Sequence, residues 1–105
     1  MEAPNLSYVK KLSKGDLKFE NSILQIVKEE LHTEIDNYYN FLKLKNYTKT
    51  KVFVHRIKHK MSILGLEKSY EITNDFENSI ITGNFKNQEY FERMLPIMLS
   101  FLEKL

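Results

Sequence analysis

Apolar residues recur at three- and four-residue intervals through most of this chain, and the longest such run constrains the fold most. It spans residues 19–42 and contains Phe19, Ile23, Ile26, Val27, Leu31, Ile35, Tyr38, Phe41 and Leu42. This spacing gathers apolar side chains on one face of an α-helix. Because the alternation typical of strands is absent, we predict an all-α protein.

Glycine and proline interrupt the helical pattern. Gly15, Gly65 and Gly83 fall between apolar runs, as glycine does at helix ends. We expect helices over 5–12, from 16 to 45, from 48 to 64, over 66–81 and over 87–104. Gly65 should be the left-handed residue that ends the third helix. Pro96 predicts a kink in the fifth helix, or a later start, because proline removes a backbone hydrogen bond at a cost of about 3 kcal/mol.

Two residues are expected to begin helices through their side chains. Asp16 follows a Ser-Lys-Gly break and can accept a hydrogen bond at the start of the long helix. Thr48 can do the same for the third helix. Short connections between amphipathic helices favour antiparallel neighbours. We therefore predict that residues 1–105 form one domain, an up-down antiparallel four-helix bundle with a short extra N-terminal helix.

The composition excludes several kinds of chemistry. The chain has 105 residues and no cysteine, which removes disulfides, thiolate catalysis and Cys-type zinc sites. It contains no run of about 18 apolar residues that could cross a membrane. The opening Met-Glu-Ala-Pro-Asn lacks the features of a secretory signal. We therefore expect a soluble cytoplasmic protein that does not engage a membrane.

Positive charge is concentrated in one segment. Residues 43–66 carry seven cations and no acid, whereas the rest of the chain carries nine cations and fourteen acids. Such a concentration can mark a surface for an anionic partner. The segment contains "HRIKHKMSILG", residues 55–65, with two of the three histidines of the chain.

Helical phase separates the core side of this segment from its outer side. At about 100° per residue, the side opposite His55 carries apolar residues, namely Phe53, Ile57, Met61 and Leu64, with Val54 at its edge. The side of His55 carries polar residues, namely Lys51, Lys58, His59 and Ser62, with Val52 and Ile63 at its margin. The phase therefore predicts that His55 faces away from the core, on a solvated face or at a site.

The sequence leaves three chemistries open to His55. A metal site could use His55 and His59 at i and i+4, but no third ligand is near and the lysines would repel a cation. A nucleic-acid surface needs cations on one face, and here they are spread around the helix. We therefore expect no metal, no resident cofactor and no nucleic acid. A neutral imidazole could instead attack phosphorus, with Lys58 one turn on offsetting phosphoryl charge.

No serine or aspartate that could orient His55 is visible in the sequence, and no GxxxxGK nucleotide-binding loop exists. The chain could therefore accept and pass on a phosphoryl group, but we expect no ATP-dependent kinase activity of its own. Whether it counts as an enzyme stays open.

These residues resemble the histidine-containing phosphotransfer (HPt) domain family of two-component phosphorelays. The family motif is roughly H-x-x-K-G-x-x-x-x-x-G, with an apolar residue before the histidine and leucine before the last glycine. Val54, His55, Lys58, Leu64 and Gly65 match it. The opening "LSYVKKLSKGDLKFENSILQIVKEEL" looks like the start of the family, and Phe76-Glu77 falls where its fourth helix often reads Leu-Glu.

The resemblance implies that His55 is the phosphoryl acceptor and that Lys58 assists it. It implies partners that are response-regulator receiver domains, possibly of a hybrid histidine kinase, with Mg²⁺ held by the partner. Val52, Arg56 and Ile63 would contact the docked receiver. A monomer is expected.

One position departs from the family pattern. His59 stands where the family usually has the glycine that leaves the acceptor histidine open. One interpretation is that His59 is a tolerated substitution. The other is that it has a special role: it narrows access to His55, selects a partner, hydrogen-bonds the phosphoryl group or is itself a second acceptor. An interaction module that binds a receiver or other partner without transfer is the alternative function.

Overall fold

The computed structural model describes all 105 residues, Met1–Leu105, and every regular element in it is helical. The helices are α1 (Ser7–Ser13), α2 (Leu17–Lys43), α3 (Tyr47–Ile63), α4 (Glu67–Ser79) and α5 (Gln88–Glu103), and a 3₁₀ turn (Ile80–Thr82) continues α4. The prediction of an all-α protein with five helices is confirmed. None of the helices combines the length and apolar character that a bilayer crossing needs.

The helices pack around a single apolar core. α2 packs against α3 and α5, α4 packs against α3 and α5, and α1 lies on α2. Eighteen buried apolar residues form the core. The largest of those that are completely enclosed are Tyr38, Phe76 and Phe91. The rings of Tyr38 and Phe91 pack edge to face, with centroids 5.0 Å apart. The rings of Phe76 and Phe91 are tilted, with centroids 5.3 Å apart. Aromatic pairs favour such arrangements over face-to-face stacking.

A buried phenol fastens α2 to α5. The hydroxyl of Tyr38 donates to Oε2 of Glu92 at 2.8 Å, and the amide of Gln88 donates to the same oxygen. Burial raises the pKa of Tyr38 far above its ordinary value, and the hydrogen bond to Glu92 raises it further. The phenol therefore stays neutral and satisfied inside the fold.

Helix starts follow the capping rules, with one correction. Asp16 accepts from the backbone N–H of Phe19 at 3.1 Å, as predicted. The predicted Thr48 cap is wrong, because Asn46 accepts from the N–H of Lys49 at 3.2 Å and α3 begins at Tyr47. Asparagine is as good an N-cap as serine or threonine, and here it stands two residues earlier.

The N-terminal strap, residues 1–6, crosses the junction between α3 and α4. Its Glu2 carboxylate accepts from the backbone N–H groups of Lys68 and Ser69 at 3.0 and 2.7 Å, and from the Ser69 hydroxyl at 2.7 Å. The N–H of Asn5 donates to the carbonyl of Leu64 at 2.8 Å. The strap thus satisfies backbone groups at both helix ends, which would otherwise lack partners.

Gly65 has the left-handed conformation predicted for it, with φ of 72°. It also has a second role, because a Cβ added at this position would collide with the side-chain amide of Asn5. The strap can therefore lie this close to the end of α3 only over a glycine.

Pro96 lies inside α5, which begins at Gln88 and runs to Glu103. The predicted later start of this helix is therefore wrong. Buried residues lie on both sides of the proline, namely Phe91, Met94, Leu95, Met98 and Leu102. Their burial is worth about 1.5–3 kcal/mol each, which outweighs the roughly 3 kcal/mol cost of one proline.

Candidate functional site

His55 lies on the outer face of α3. Its side chain is 50% exposed, whereas Val54 and Ile57 beside it are completely buried. The helical phase therefore placed both His55 and the neighbouring core residues correctly. Half of the imidazole is open to a partner, and the other half packs against the protein.

Glu77 of α4 holds the inner side of the imidazole. Nδ1 of His55 lies 3.0 Å from Oε2 and 3.1 Å from Oε1 of Glu77. Only 11% of the Glu77 side chain is exposed. This orienting carboxylate was not predicted from the sequence, which shows no serine or aspartate suited to orient His55. Glu77 lies 22 residues further along the chain, on another helix.

Lys58 is the second partner of the same carboxylate. Its ammonium nitrogen lies 3.0 Å from Oε1 of Glu77, donates to Oδ1 of Asn74 at 3.0 Å and lies 5.3 Å from the centre of the Tyr70 ring. Its side chain is only 7% exposed. The phase predicts Lys58 on the solvated side of α3, which is wrong because the Lys58 side chain packs against Asn74 and Glu77 of α4.

These contacts determine which ring nitrogen of His55 is free. An ionised carboxylate can only accept hydrogen bonds, and Glu77 forms an ion pair with the Lys58 ammonium. Nδ1 of His55 therefore carries the hydrogen and donates it to Glu77. In the neutral ring, the lone pair that can act as nucleophile or ligand then belongs to Nε2, on the side away from α4.

His59 stands next to His55 on the exposed face. The two ring centroids are 4.5 Å apart and the rings are tilted by 50°. His59 therefore packs against the imidazole whose Nδ1 is held by Glu77. No group of three or more histidine, cysteine, aspartate or glutamate side chains in the chain is arranged to hold a metal ion.

The other residues predicted to surround the site lie along the same helix. Val52, Arg56 and Ser62 are exposed, and Lys51 and Ile63 are half-buried. The Arg56 guanidinium lies over the Phe53 ring, 5.3 Å from its centre. The structure thus brings an apolar residue and a cation to the surface beside the two histidines.

The positive charge of the segment is smaller at the surface than its sequence indicates. Lys58 is neutralised by Glu77, and Lys60 is buried against α2, where its ammonium lies 2.7 Å from Glu34 and 3.1 Å from Glu30. Two of the seven cations therefore have acidic partners from other helices.

Comparison of the chain with protein-family models, with curated proteins and with solved structures finds no match. The function must therefore follow from the chemistry of these side chains. That chemistry combines a half-exposed imidazole, a buried carboxylate that fixes its tautomer and a buried lysine that is ion-paired with the carboxylate.

Proposed function

We propose that this chain is a histidine phosphotransfer protein of a multistep two-component phosphorelay, and that His55 carries the phosphoryl group between receiver-domain aspartates. The five helices would form the up-down antiparallel four-helix bundle of that family, with α1 as the added helix. The observation that carries the proposal is the hydrogen bond from Nδ1 of His55 to Glu77, which leaves Nε2 as the nucleophile.

The chemistry balances without a proton transfer. The lone pair on Nε2 of His55 attacks the phosphorus of a receiver aspartyl phosphate, and the N–P bond forms as the P–O bond to the aspartate breaks. The aspartate leaves as a carboxylate, and the phosphorylated ring carries a positive charge. An aspartate of a second receiver then attacks the phosphorus, and His55 is released neutral.

Glu77 supports this step electrostatically. Its carboxylate lies 3.0 Å from Nδ1, where the positive charge of the phosphorylated ring is shared. A fixed opposite charge at that distance stabilises the charged ring more than the neutral one. Glu77 also keeps the ring from rotating, so that Nε2 stays in line with the incoming phosphorus.

Lys58 has two parts in the proposal. It pairs with Glu77 and holds that carboxylate in place beside His55, and its charge beside the acceptor histidine offsets negative charge on the phosphoryl group. Because its side chain is 7% exposed, the first part follows from the contacts that it already makes. Direct contact with a phosphoryl oxygen requires the ammonium to move outward.

The partners in this proposal are receiver domains, possibly of a hybrid histidine kinase, and the Mg²⁺ of the reaction belongs to the receiver. Val52, Arg56 and Ile63 would contact the docked receiver, around His55. The chain would act as a monomer in the cytoplasm, without drawing phosphate from ATP.

Mixing the protein with a phosphorylated receiver tests the proposal. We expect an acid-labile label on the protein, and we expect His55→Gln to abolish it. His59→Gln is the matched control, one turn away on the same face, and should still be labelled. Equal labelling of the His55→Gln variant would move the acceptor elsewhere. Receiver binding without any label would indicate the alternative, a non-transferring interaction module.

A further inference from the structure

The two histidines of α3 lie one turn apart and pack against each other on the surface. Both residues are exposed, and their ring centroids are 4.5 Å apart. Residues at i and i+4 of a helix share one face, where two imidazoles can bind the same metal ion. The proposed phosphotransfer uses His55 and gives no part to His59. The closeness of the two rings therefore needs a separate explanation.

The distance between the rings fits two ligands of one ion. A metal ion lies about 2.0–2.1 Å from an imidazole nitrogen, on a line that continues through the ring centre. Two imidazoles at adjacent corners of a square therefore have centroids about 4.5 Å apart, whereas at tetrahedral corners the separation is about 5.2 Å. The 4.5 Å between His55 and His59 matches the square arrangement, which Cu²⁺ and Ni²⁺ prefer.

His55 is already oriented as a metal-binding histidine is. Such histidines almost always donate their other ring N–H to a carboxylate, a backbone carbonyl or a water, which fixes the tautomer and makes the ligand more basic. Nδ1 of His55 lies 3.0 Å from Oε2 of Glu77. Glu77 therefore directs the Nε2 lone pair of His55 outward, toward the face that His59 shares. This orientation serves a metal ion as well as it serves phosphorus.

The charges around the two histidines oppose a cation less than the sequence indicates. The sequence argues against a metal site partly because the lysines of this segment would repel the ion. In the structure, Lys58 is paired with Glu77 at 3.0 Å, and Lys60 is paired with Glu34 at 2.7 Å on the side of α2. Lys51, one turn before His55, keeps its charge, but its flexible stem lets the ammonium move away from an ion.

We propose that His55 and His59 together bind one divalent transition-metal ion, with water molecules at its remaining positions. Imidazole suits Cu²⁺, Ni²⁺ and Zn²⁺, and Cu²⁺ binds most tightly of the three. Mg²⁺ prefers oxygen ligands and retains its waters, so it does not compete for this site. His32 lies 3.7 Å from Glu103 on another part of the surface and offers a single imidazole, which holds an ion more weakly than a pair does.

The proposed metal site has a consequence for the acceptor. A bound ion uses the lone pair of Nε2, the same lone pair that attacks phosphorus in the proposed reaction. A chain that holds the ion therefore cannot accept a phosphoryl group until the ion leaves. His59 is the residue that makes this block effective, because His55 alone holds the ion weakly. The block rests on the proposed phosphotransfer function, whereas the binding of the ion does not.

Titration of the ¹⁵N-labelled protein with CuCl₂ at about pH 7.5, where histidine is mostly neutral, tests the site. Cu²⁺ is paramagnetic and broadens the amide signals of nearby residues. We expect broadening centred on residues 52–62 that is complete at one ion per chain. ZnCl₂ should shift the same signals with weaker binding, and MgCl₂ should not affect them. Broadening centred on His32 or on the N-terminus, or broadening that does not saturate, would overturn the proposal.

Variants distinguish a two-histidine site from a single imidazole. Glu77→Gln should weaken Cu²⁺ binding about tenfold, the lower end of the 10–100-fold range for partners that orient a ligand. His55→Gln and His59→Gln should each weaken it more, because each removes a ligand from an exposed position. His32→Gln is the matched control and should leave the binding unchanged. Cu²⁺ binding as tight in His59→Gln as in the unaltered protein would refute the site.

Labelling by a phosphorylated receiver separates this proposal from the previous one. Labelling of His55 without Cu²⁺ tests phosphotransfer alone. One equivalent of Cu²⁺ should then abolish the label on the unaltered protein, whereas His59→Gln should be labelled about equally with and without it, which controls for effects on the receiver. Equal inhibition of both proteins would overturn the block. Saturable Cu²⁺ binding by a chain that no receiver labels would refute phosphotransfer and support the metal site.

Discussion

The pair formed by Lys58 and Glu77 gives the sharpest test of how the site is built. Glu77→Ala would leave the Lys58 ammonium buried without its counter-ion. Breaking a buried ion pair in this way costs about 3–5 kcal/mol. Asn74 still accepts from the ammonium at 3.0 Å, and the Tyr70 ring still faces it. We therefore expect the lower end of that range, about 3 kcal/mol.

Urea denaturation followed by far-ultraviolet circular dichroism at pH 7 measures this loss. In a domain of about 100 residues, 3 kcal/mol corresponds to a fall in Tm of roughly 12–24 °C. Glu89→Ala is the matched control, because Glu89 forms an exposed i,i+4 pair with Arg93 at 3.9 Å. The control should change the free energy of unfolding by less than about 0.5 kcal/mol.

A double-mutant cycle shows whether the loss comes from the pair itself. Lys58→Met removes the buried charge, so adding it to Glu77→Ala should restore most of the lost stability. We expect a coupling energy of about 2 kcal/mol between the two positions. A cost below about 1 kcal/mol for Glu77→Ala would refute the reasoning. So would a double variant no more stable than Glu77→Ala alone.

The same residue gives a chemical readout. Glu77→Gln keeps an oxygen that can accept from Nδ1 of His55 but removes the negative charge. We expect slower labelling of His55 by a phosphorylated receiver, by about tenfold or more, in a protein that still folds. Unchanged labelling would limit Glu77 to a structural role.

Three further predictions concern other parts of the chain. His59→Gly should keep the label on His55 and alter the rate of labelling, since it opens one face of the ring, and loss of the label would make His59 part of the acceptor site. Gly65→Ala should destabilise the protein more than Gly83→Ala in urea denaturation. Both positions have positive φ, which costs about 1–2 kcal/mol for alanine, but an added Cβ meets a neighbouring side chain only at Gly65. Equal losses of stability in the two variants would contradict this. Burial raises the pKa of Glu2, but hydrogen bonds from α4 outweigh it and lower that pKa below its ordinary 4.5. The carboxylate therefore stabilises the fold above about pH 4.5 and loses this effect as pH falls through the lowered pKa, so the stability advantage over Glu2→Gln at pH 7 should vanish in acid, as urea titrations at several pH values would show.

Local signals in the sequence were enough to predict the helices and some of their ends. Asp16 caps α2, and Gly65 follows α3 with positive φ, because capping and left-handed glycine depend on a few neighbouring residues. The outward direction of His55 followed from the period of the helix alone. Thr48 was misassigned because Asn46 offered an equally good cap nearby.

The environment of His55 could not be predicted in the same way. A helical wheel says which way a side chain leaves its own helix, but it does not say which acid of another helix arrives there. The wheel placed Lys58 in the solvated arc, and α4 buries it. Glu77 and Glu34 reach α3 from positions 22 and 26 residues away from their partners. Such pairings depend on how the helices are aligned against one another.

Tyr38 has a consequence for how unfolding can be followed. The chain has six tyrosines and no tryptophan, so its near-ultraviolet absorbance comes mainly from phenol rings. Burial and then the hydrogen bond to Glu92 raise the pKa of Tyr38, and burial also raises the pKa of Tyr39. Exposed tyrosines form phenolate near pH 10, whereas Tyr38 can do so only when α2 and α5 separate. When the pH is raised, the absorbance of the last phenolate to form should therefore show when the core opens. This measurement needs no added label.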